Sequence, residues 1–540
     1  MKSYQLKKGI LTYFIKTFPV FLQSLFMLGS YTFIIFFLNP GDMPSSHLLI
    51  SMLELGLVLL IILLFCYITF KRFYLFIPSI LFVILLWKPI RDFISTLSLT
   101  EISQGIIALI FQSILGLLFI LIINKFFLHR LKSINNFLVI AFIISALSEV
   151  MIYKHNFGYS NTEIRLENES PQDGMMSINN IVSSEMLPHI IYVVPDRYGN
   201  LEGIKQNFDF DNKDFYSELS QRGFVVNEFA YSNYPYTGIS LASTLNGSYI
   251  ERNKYNNERS LVFPYIRNNK LFESLFKLNY KIYNFDNWWY GTSYISKVSY
   301  SFMENNQRYL SKPTETILKT YTPFYSILNE ILGGGFVENE CKLMSKYLDE
   351  IENILSNSND VEPKFVFAHL LMPHEPFLFD KNGACNSNAY DKIDTNDYKN
   401  PEVWKKRQLM YTDYMEYFNQ RILVIFDKLS KETSRDIIFV IQADEGPYPQ
   451  CFLLEEKKGD YKNCDVSNWE IKTGIMHAFY SSNKILDEMD ISTPINNIKY
   501  ILEIVTKQQF TKLQHHTFIV EDKNKRFDFK ELEKSNSNSK

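Results

Sequence analysis

Residues 437–447 read IIFVIQADEGP. An unbroken apolar, β-branched run stops at two adjacent carboxylates, Asp444 and Glu445, and Gly446 and Pro447 follow at once. A continuous Ile/Val/Phe run reads as a strand buried on both faces, the environment of a parallel sheet covered by helices. Gly and Pro directly after it turn the chain out at the strand's C-terminal end. In open α/β sheets ligands sit at that end. Neighbouring carboxylates repel each other and are costly to bury unpaired. A bound cation would relieve both costs.

The same pattern recurs upstream. HIIYVVPDRYGN begins at His189, ends its apolar run at Asp196 and turns at Gly199. KFVFAHLLMPHEPF begins at Lys364 and carries His369, His374 and two prolines. Helical stretches lie between: 211–222, closed by Gly223; a helix opening at Thr237 and Gly238 in YPYTGISLASTLNGSYI; an amphipathic segment at 340–356; and a long one at about 402–430. Residues 260–290 pass from helix to strand, and GIMHAFYSS, with His477, is a last strand candidate. Strand–helix alternation predicts an α/β sandwich on a largely parallel sheet, spanning residues 188–521. Residues 522–540 are charged, then rich in Ser and Asn, and read as a disordered tail.

The N-terminal third differs in kind. Apolar runs at roughly 17–38, 49–70, 73–88, 105–124 and 137–153 predict a five-helix transmembrane domain over residues 1–153. Lys2, Lys7, Lys8 and Lys16 precede the first run. Lys71 and Arg72 follow the second, and Lys125, Arg130 and Lys132 lie between the fourth and fifth. By the positive-inside rule the N-terminus is cytoplasmic, and an odd number of crossings delivers the rest of the chain outside. Glu149 lies near the outer end of the fifth run and reads as an interfacial residue. Residues 154–187 are polar and aperiodic, a juxtamembrane linker.

The formal net charge of −3 disfavours a polyanion-binding surface, so nucleic acid is not an expected partner. Of five cysteines, Cys66 lies in an apolar run, whereas Cys341, Cys385, Cys451 and Cys464 fall in the outer part. An oxidising compartment would permit disulfides there, and Cys451 and Cys464 flank a polar loop that they could close. The chain has no Cys-x-x-Cys pair.

Three strand ends carry the chemistry. Asp196 and Asp444 are the oxygen ligands a hard divalent cation prefers, although either carboxylate alone could simply cap a helix. Thr237 at a helix start is a candidate nucleophile or, equally, an N-cap. Amides at that helix terminus suit a tetrahedral oxyanion. His374, between Pro373 and Pro376, could bind a substrate oxygen or protonate a leaving group. His369, earlier in the same strand, reads as a substrate-side residue or a buried structural histidine. His477 reads as a metal ligand or as part of the core.

In that order, PDRYG, YTGISLASTLN, FVFAHLLMPHEPFLFD and QADEGP resemble the alkaline phosphatase/sulfatase superfamily. The closer resemblance is to its membrane-bound sulfatase-like hydrolases and transferases, the lipoteichoic acid synthase and phosphoethanolamine transferase types. The resemblance implies an alkaline-phosphatase-like α/β/α domain outside the bacterial cytoplasmic membrane and a divalent metal (Mn, Mg or Zn). It implies a metal set of Asp196, Thr237, Asp444 and Glu445, with Thr237 also the nucleophile. His374, and with it His369 and His477, would face the substrate. It further implies a membrane lipid donor, such as phosphatidylglycerol or phosphatidylethanolamine, and an envelope glycan or lipid acceptor. No Cys/Ser-x-Pro-x-Arg arrangement is present, which disfavours a formylglycine sulfatase. One departure stands out: the family's Asp-His-Gly reads Asp-Glu-Gly, with Glu445 at the histidine. Oxygen for nitrogen would shift metal preference toward Mn or Mg and would add negative charge beside an anionic substrate. A catalytically degraded pseudoenzyme that binds an envelope polymer or partner is the alternative reading.

Overall fold

The computed structural model describes residues 186–533, except 254–258, 288, 290, 294, 303–334, 356–361, 387–388, 390–394, 457, 483–489 and 524. It also describes Arg165, Leu166 and a scatter of positions before residue 145. The chain divides into two compact units, one of residues 1–159 with 308–334 and the other of 160–307 with 335–540. The five apolar runs lie almost wholly outside the described residues. Among the described residues no helix is long and apolar enough to cross a membrane.

The second unit runs, in order, β1 (His189–Pro195), α1 (Leu201–Phe208), α2 (Lys213–Gln221), β2 (Val225–Asn227), α3 (Thr237–Thr244), α4 (Phe263–Arg267), α5 (Lys270–Lys277), β3 (Lys281–Phe285) and β4 (Tyr300–Ser301). It continues with α6 (Gly335–Asn353), β5 (Lys364–Leu370), α7 (Pro401–Glu432), β6 (Ile437–Gln442), α8 (Gln450–Glu455), α9 (Val466–Thr473), β7 (His477–Ser481), α10 (Asn497–Thr506), β8 (Phe518–Ile519) and β9 (Lys530–Glu531). The sheet order is β2-β7-β6-β1-β5-β3-β4. From β6 to β4 all neighbours are parallel. β7 runs antiparallel to both β6 and β2, so the sheet is mixed.

Alternation along the central strands sorts the core into two layers. Ile191 and Val193 of β1, Val366 and Ala368 of β5, and Phe439 and Ile441 of β6 pack with α1, α2, α6 and α7. Ile190, Tyr192, Phe365, Phe367, Ile438 and Val440 pack on the other face with α3, α4, α5 and α10. These layers make an α/β/α sandwich. It brings the C-terminal ends of β1, β5 and β6 side by side, with Val194 opposite His369 and Val193 opposite Ile441.

Two expectations need correction. The tail from Asp522 is folded through Glu533. RFDFKE places Phe527 and Phe529 alternately, and both are buried in the core, where the charged residues between them had read as a solvated run. Phe529 packs edge-on against Tyr234 at 5.1 Å, and Asp528 pairs with Arg252 at 2.6 Å. Residues 534–540 lie outside the described residues. Within the linker, Leu166 is buried and bridges to Ile250, so the outer unit begins before residue 188. Cys341 is bonded to Cys385 and Cys451 to Cys464.

Candidate active site

Asp196 follows β1, and its backbone N–H donates to Leu370 O at 2.8 Å, tying the end of β1 to the end of β5. The next residue, Arg197, has φ 62°, a left-handed conformation rare for a side chain of that size. The turn is held from outside: the Tyr411 hydroxyl of α7 donates to Arg197 O at 2.9 Å. Beyond β6, Gly446 is required by close approach. A Cβ there would meet Ile471 O at 2.3 Å and Gly474 O at 2.4 Å. Gly446 N–H donates to Lys472 O at 2.9 Å, which clamps the Asp-Glu-Gly turn onto α9.

Neither carboxylate is a helix cap. The cap of α1 is Asn200, whose side chain accepts from Gly203 N–H, and α8 starts after Pro449. Asp196, His369 and Asp444 instead converge, and one ligand atom from each lies within 4.8 Å of the others. All three are buried. His369 Nε2 stands 3.6 Å from Asp196 Oδ2. Asp196 Oδ1, His369 Nε2 and Asp444 Oδ2 are buried without a hydrogen-bond partner. Orphaned polar atoms of this kind are rare and costly. Three of them on neighbouring residues, in a set of two carboxylates and an imidazole, fit a divalent cation. On the far side of its ring, His369 Nδ1 lies 3.2 Å from Thr292 Oγ1 and 3.3 Å from Asn287 Nδ2, which hold the ring in place. His369, expected on the substrate side, lies instead in this candidate metal group.

Thr237 is the first residue of α3, and its cap position is Tyr236. Its hydroxyl lies near enough to Asp444 to lower that carboxyl's proton affinity. The first helical bond of α3 is made by Ser240 N–H to Tyr236 O at 3.0 Å, so the amides of Thr237, Gly238 and Ile239 precede it. These three residues line a cavity of about 290 Å³ together with Asp196, Arg197, His374 and Glu445. Its outer wall is formed by Tyr448, Glu456 and Tyr461 around the Cys451–Cys464 loop and by Lys523, Arg526 and Phe527 of the folded tail.

The electrostatics follow from burial and charge. Burial, the Asp196 carboxylate and Glu445 push Asp444 well above the usual carboxylate range, and only the Thr237 hydroxyl and a backbone contact oppose this. For Asp196, burial acts upward but is outweighed by His374, His369 and Arg197, which hold it down at about 2. Burial together with the Arg197 guanidinium lowers His374 to about 3, so it is neutral near pH 7. The His374 Nδ1 contact to Glu375 O requires an N–H on Nδ1 and leaves Nε2 as an acceptor.

Glu445 is corrected. It does not join the metal-ligand group but is held between two cations, with Lys472 Nζ at 2.7 Å and Arg197 Nε at 3.1 Å. His477 is corrected as well. It lies opposite Gln442 in β7, and its Nε2 contacts Asn497 Oδ1 of α10 at 3.0 Å. Asn497 Nδ2 in turn donates to Gln442 Oε1 at 3.2 Å. His477 is thus part of a buried network under α10 and does not line the cavity. The sequence reading assigned no role to Arg197, Lys472, Tyr448 or Arg526. Arg197 was visible beside Asp196, but Lys472 in WEIKTG resembles any exposed helical lysine.

Fold, strand-end cluster and helix-borne hydroxyl together define an alkaline-phosphatase-type domain. A family model described as Sulfatase matches residues 188–485, more than half of the chain, and the chain belongs to that family. No curated protein sequence matches it. Among solved structures it is similar to the C-terminal periplasmic domain of EcEptC from Escherichia coli in complex with Zn, at 13% identity over 61% of this chain and 84% of that one, TM-score 0.38. It is similar also to the integral membrane protein lipooligosaccharide phosphoethanolamine transferase A from Neisseria meningitidis, at 13% identity over 90% and 95%, TM-score 0.39. A third is a protein of the alkaline phosphatase superfamily from Vibrio parahaemolyticus, at 12% identity over 63% and 75%, TM-score 0.35.

Proposed function

We propose that the chain is a membrane-anchored, metal-dependent phospho-group transferase or phosphodiesterase that acts outside the cytoplasmic membrane through Thr237. The single observation that carries this reading is Thr237 opening α3 into the same cavity as Asp196, beside the buried, unpartnered atoms of Asp196, His369 and Asp444. A divalent cation held by Asp196, His369 and Asp444 would stabilise charge on the phosphoryl oxygens and make the hydroxyl more acidic. The proton of the Thr237 hydroxyl passes to water in the open cavity. Thr237 Oγ then bonds to phosphorus, and the P–O bond to the lipid alcohol breaks. That alcohol's oxygen is protonated by water in the open cavity. An acceptor hydroxyl or water attacks the phosphothreonine in a second step, giving its proton to the neutral His374 Nε2, and frees Thr237. Phosphatidylglycerol or phosphatidylethanolamine as donor and an envelope glycan or lipid as acceptor fit a site tethered by residues 1–153.

The test is mass spectrometry of the full chain in detergent after incubation with membrane lipids and Mn²⁺ or Zn²⁺. A phospho-group adduct on Thr237 is expected, and Thr237→Ala is expected to lower turnover by more than about a thousandfold. Turnover retained in Thr237→Ala, or an adduct elsewhere, would sink the mechanism. The alternative, a pseudoenzyme that binds an envelope polymer or partner, is motivated by Glu445 at the histidine position of the family's pattern, and it predicts no bound metal at saturating Mn²⁺ and no effect of Thr237→Ala in cells.

A further inference from the structure

We infer that Arg197 binds the phosphoryl oxygens of the substrate, and that Glu445, standing where the family's pattern has a metal-binding histidine, is a positioning residue for that guanidinium and not a metal ligand. The inference rests on the proposed phosphoryl chemistry and names a further residue that carries it.

Arg197 is anchored on three sides. Its Nε donates to Glu445 at 3.1 Å and its Nη1 to Glu375 at 2.8 Å. Its guanidinium carbon lies 4.0 Å from the centre of the Tyr448 ring. Among the described residues Nη2 makes no hydrogen bond. The side chain is 18% exposed, and it lines the same cavity as Thr237 and the first amides of α3. A planar fork fixed at two nitrogens and open at the third is a preorganised anion donor, since little rotamer freedom remains to be lost when a phosphoryl oxygen arrives. The left-handed backbone at Arg197 is consistent with this, because such conformations persist where the surroundings over-determine them.

Charge counting explains the glutamate. A buried carboxylate facing an anionic substrate would oppose binding if it stood alone. Glu445 is flanked by Arg197 and by Lys472, whose side chain is fully buried and lies 4.2 Å from the same Tyr448 ring centre. Glu375 in turn is shared by Arg197 and Arg407. Arg197, Lys472 and Arg407 thereby offset the charges of Glu445 and Glu375. Glu445 thus reads as a bridge that neutralises Lys472 and aims Arg197, while His369 supplies the nitrogen ligand of the metal set.

The experiment compares the full chain in detergent with Arg197→Gln, Glu445→Gln and the double variant Glu445→Gln/Lys472→Met, using Asp444→Asn as the ligand control. The double variant leaves no buried ammonium without its partner, so a failure of Glu445→Gln to fold does not end the test. Bound Mn²⁺ or Zn²⁺ is measured by elemental mass spectrometry, and affinity for inorganic phosphate by calorimetry. Neither readout needs turnover, so a protein that transfers no phospho-group can still support or refute the assignment. Arg197→Gln and the double variant are expected to keep the metal and to bind phosphate about ten- to a hundredfold more weakly, whereas Asp444→Asn loses the metal. Kinetics with bis(4-nitrophenyl) phosphate add a further check: the loss falls on kcat/KM at unchanged metal content. Metal loss in the double variant to the level of Asp444→Asn would make Glu445 a ligand. Unchanged phosphate affinity in Arg197→Gln would remove Arg197 from substrate binding. Either result overturns the inference.

Discussion

Asp196, Thr237, His374 and Asp444 were legible in the sequence because each follows an apolar strand or opens a helix, and strand ends of one sheet must come together. The duty of His369 was not legible. It lies inside β5, and alternation alone leaves open which end of its ring meets the cluster. Glu445 was misread for a different reason: its partners come from the turn after β1 and from α9, and no local pattern announces them. His477 shows the same limit, since only the packing of α10 on β6 and β7 reveals its network. That burial lowers its imidazole to about 4. In the unfolded chain it titrates near its ordinary value of about 6.5. Between those values the unfolded state binds more protons, so stability falls as pH falls through this window. Between pH 7.5 and 5.0 this residue alone should remove about 2 kcal/mol. Urea midpoints at the two pH values check it, with His477→Gln showing a correspondingly smaller drop. Equal drops in both proteins would show that His477 does not titrate this way.

The strands β1, β5 and β6 were readable almost to the residue because burial on both faces demands an unbroken apolar run. The antiparallel placement of β7 was not readable, since a short apolar strand carries no mark of direction. The C-terminal β8–β9 segment escaped notice because its two phenylalanines are embedded among charges. It lies beyond the 188–485 match, yet it lines the cavity with Lys523, Arg526 and Phe527. It is joined to the disulfide loop, with Tyr461 N–H donating to Glu521 O at 2.7 Å and Lys523 N–H to Gly459 O at 2.8 Å. This element is accordingly structural as well as substrate-facing. Phe529→Ala should cost about 3–5 kcal/mol, the usual range for removing a buried phenylalanine. Its contact with Tyr234, shortly before Thr237, should carry part of the damage into the site. A denaturation midpoint equivalent to less than about 1 kcal/mol of loss would show that the hairpin is peripheral to the fold.

For the whole molecule, the apolar N-terminal runs and the cysteines make independent statements about the same topology. Under the positive-inside rule, basic residues before the first run and after the second would set the N-terminus in the cytoplasm, and five crossings would then export residue 154 onward. Disulfides form in oxidising compartments and are rare in the cytosol. Cys341 meets Cys385 at a Cα separation of 5.9 Å and Cys451 meets Cys464 at 5.8 Å, both within the range a disulfide spans without backbone movement. Cys66, in the second apolar run, is the fifth cysteine and has no place in that scheme. Exported topology therefore predicts a definite thiol count. Cells are treated with a membrane-permeant alkylating agent before lysis, and the purified chain is digested without reduction. Peptides crosslinked 341–385 and 451–464 are expected, with Cys66 the one alkylated site. The reverse construction sharpens the result. Expressed in a reducing cytosol without residues 1–153, the same cysteines should be alkylated in full, because compartment and not proximity then decides their state. Alkylation of Cys341, Cys385, Cys451 and Cys464 in the membrane-bound full chain would place the catalytic unit on the cytoplasmic side. That outcome would overturn both the five-crossing topology and the envelope acceptor that depends on it.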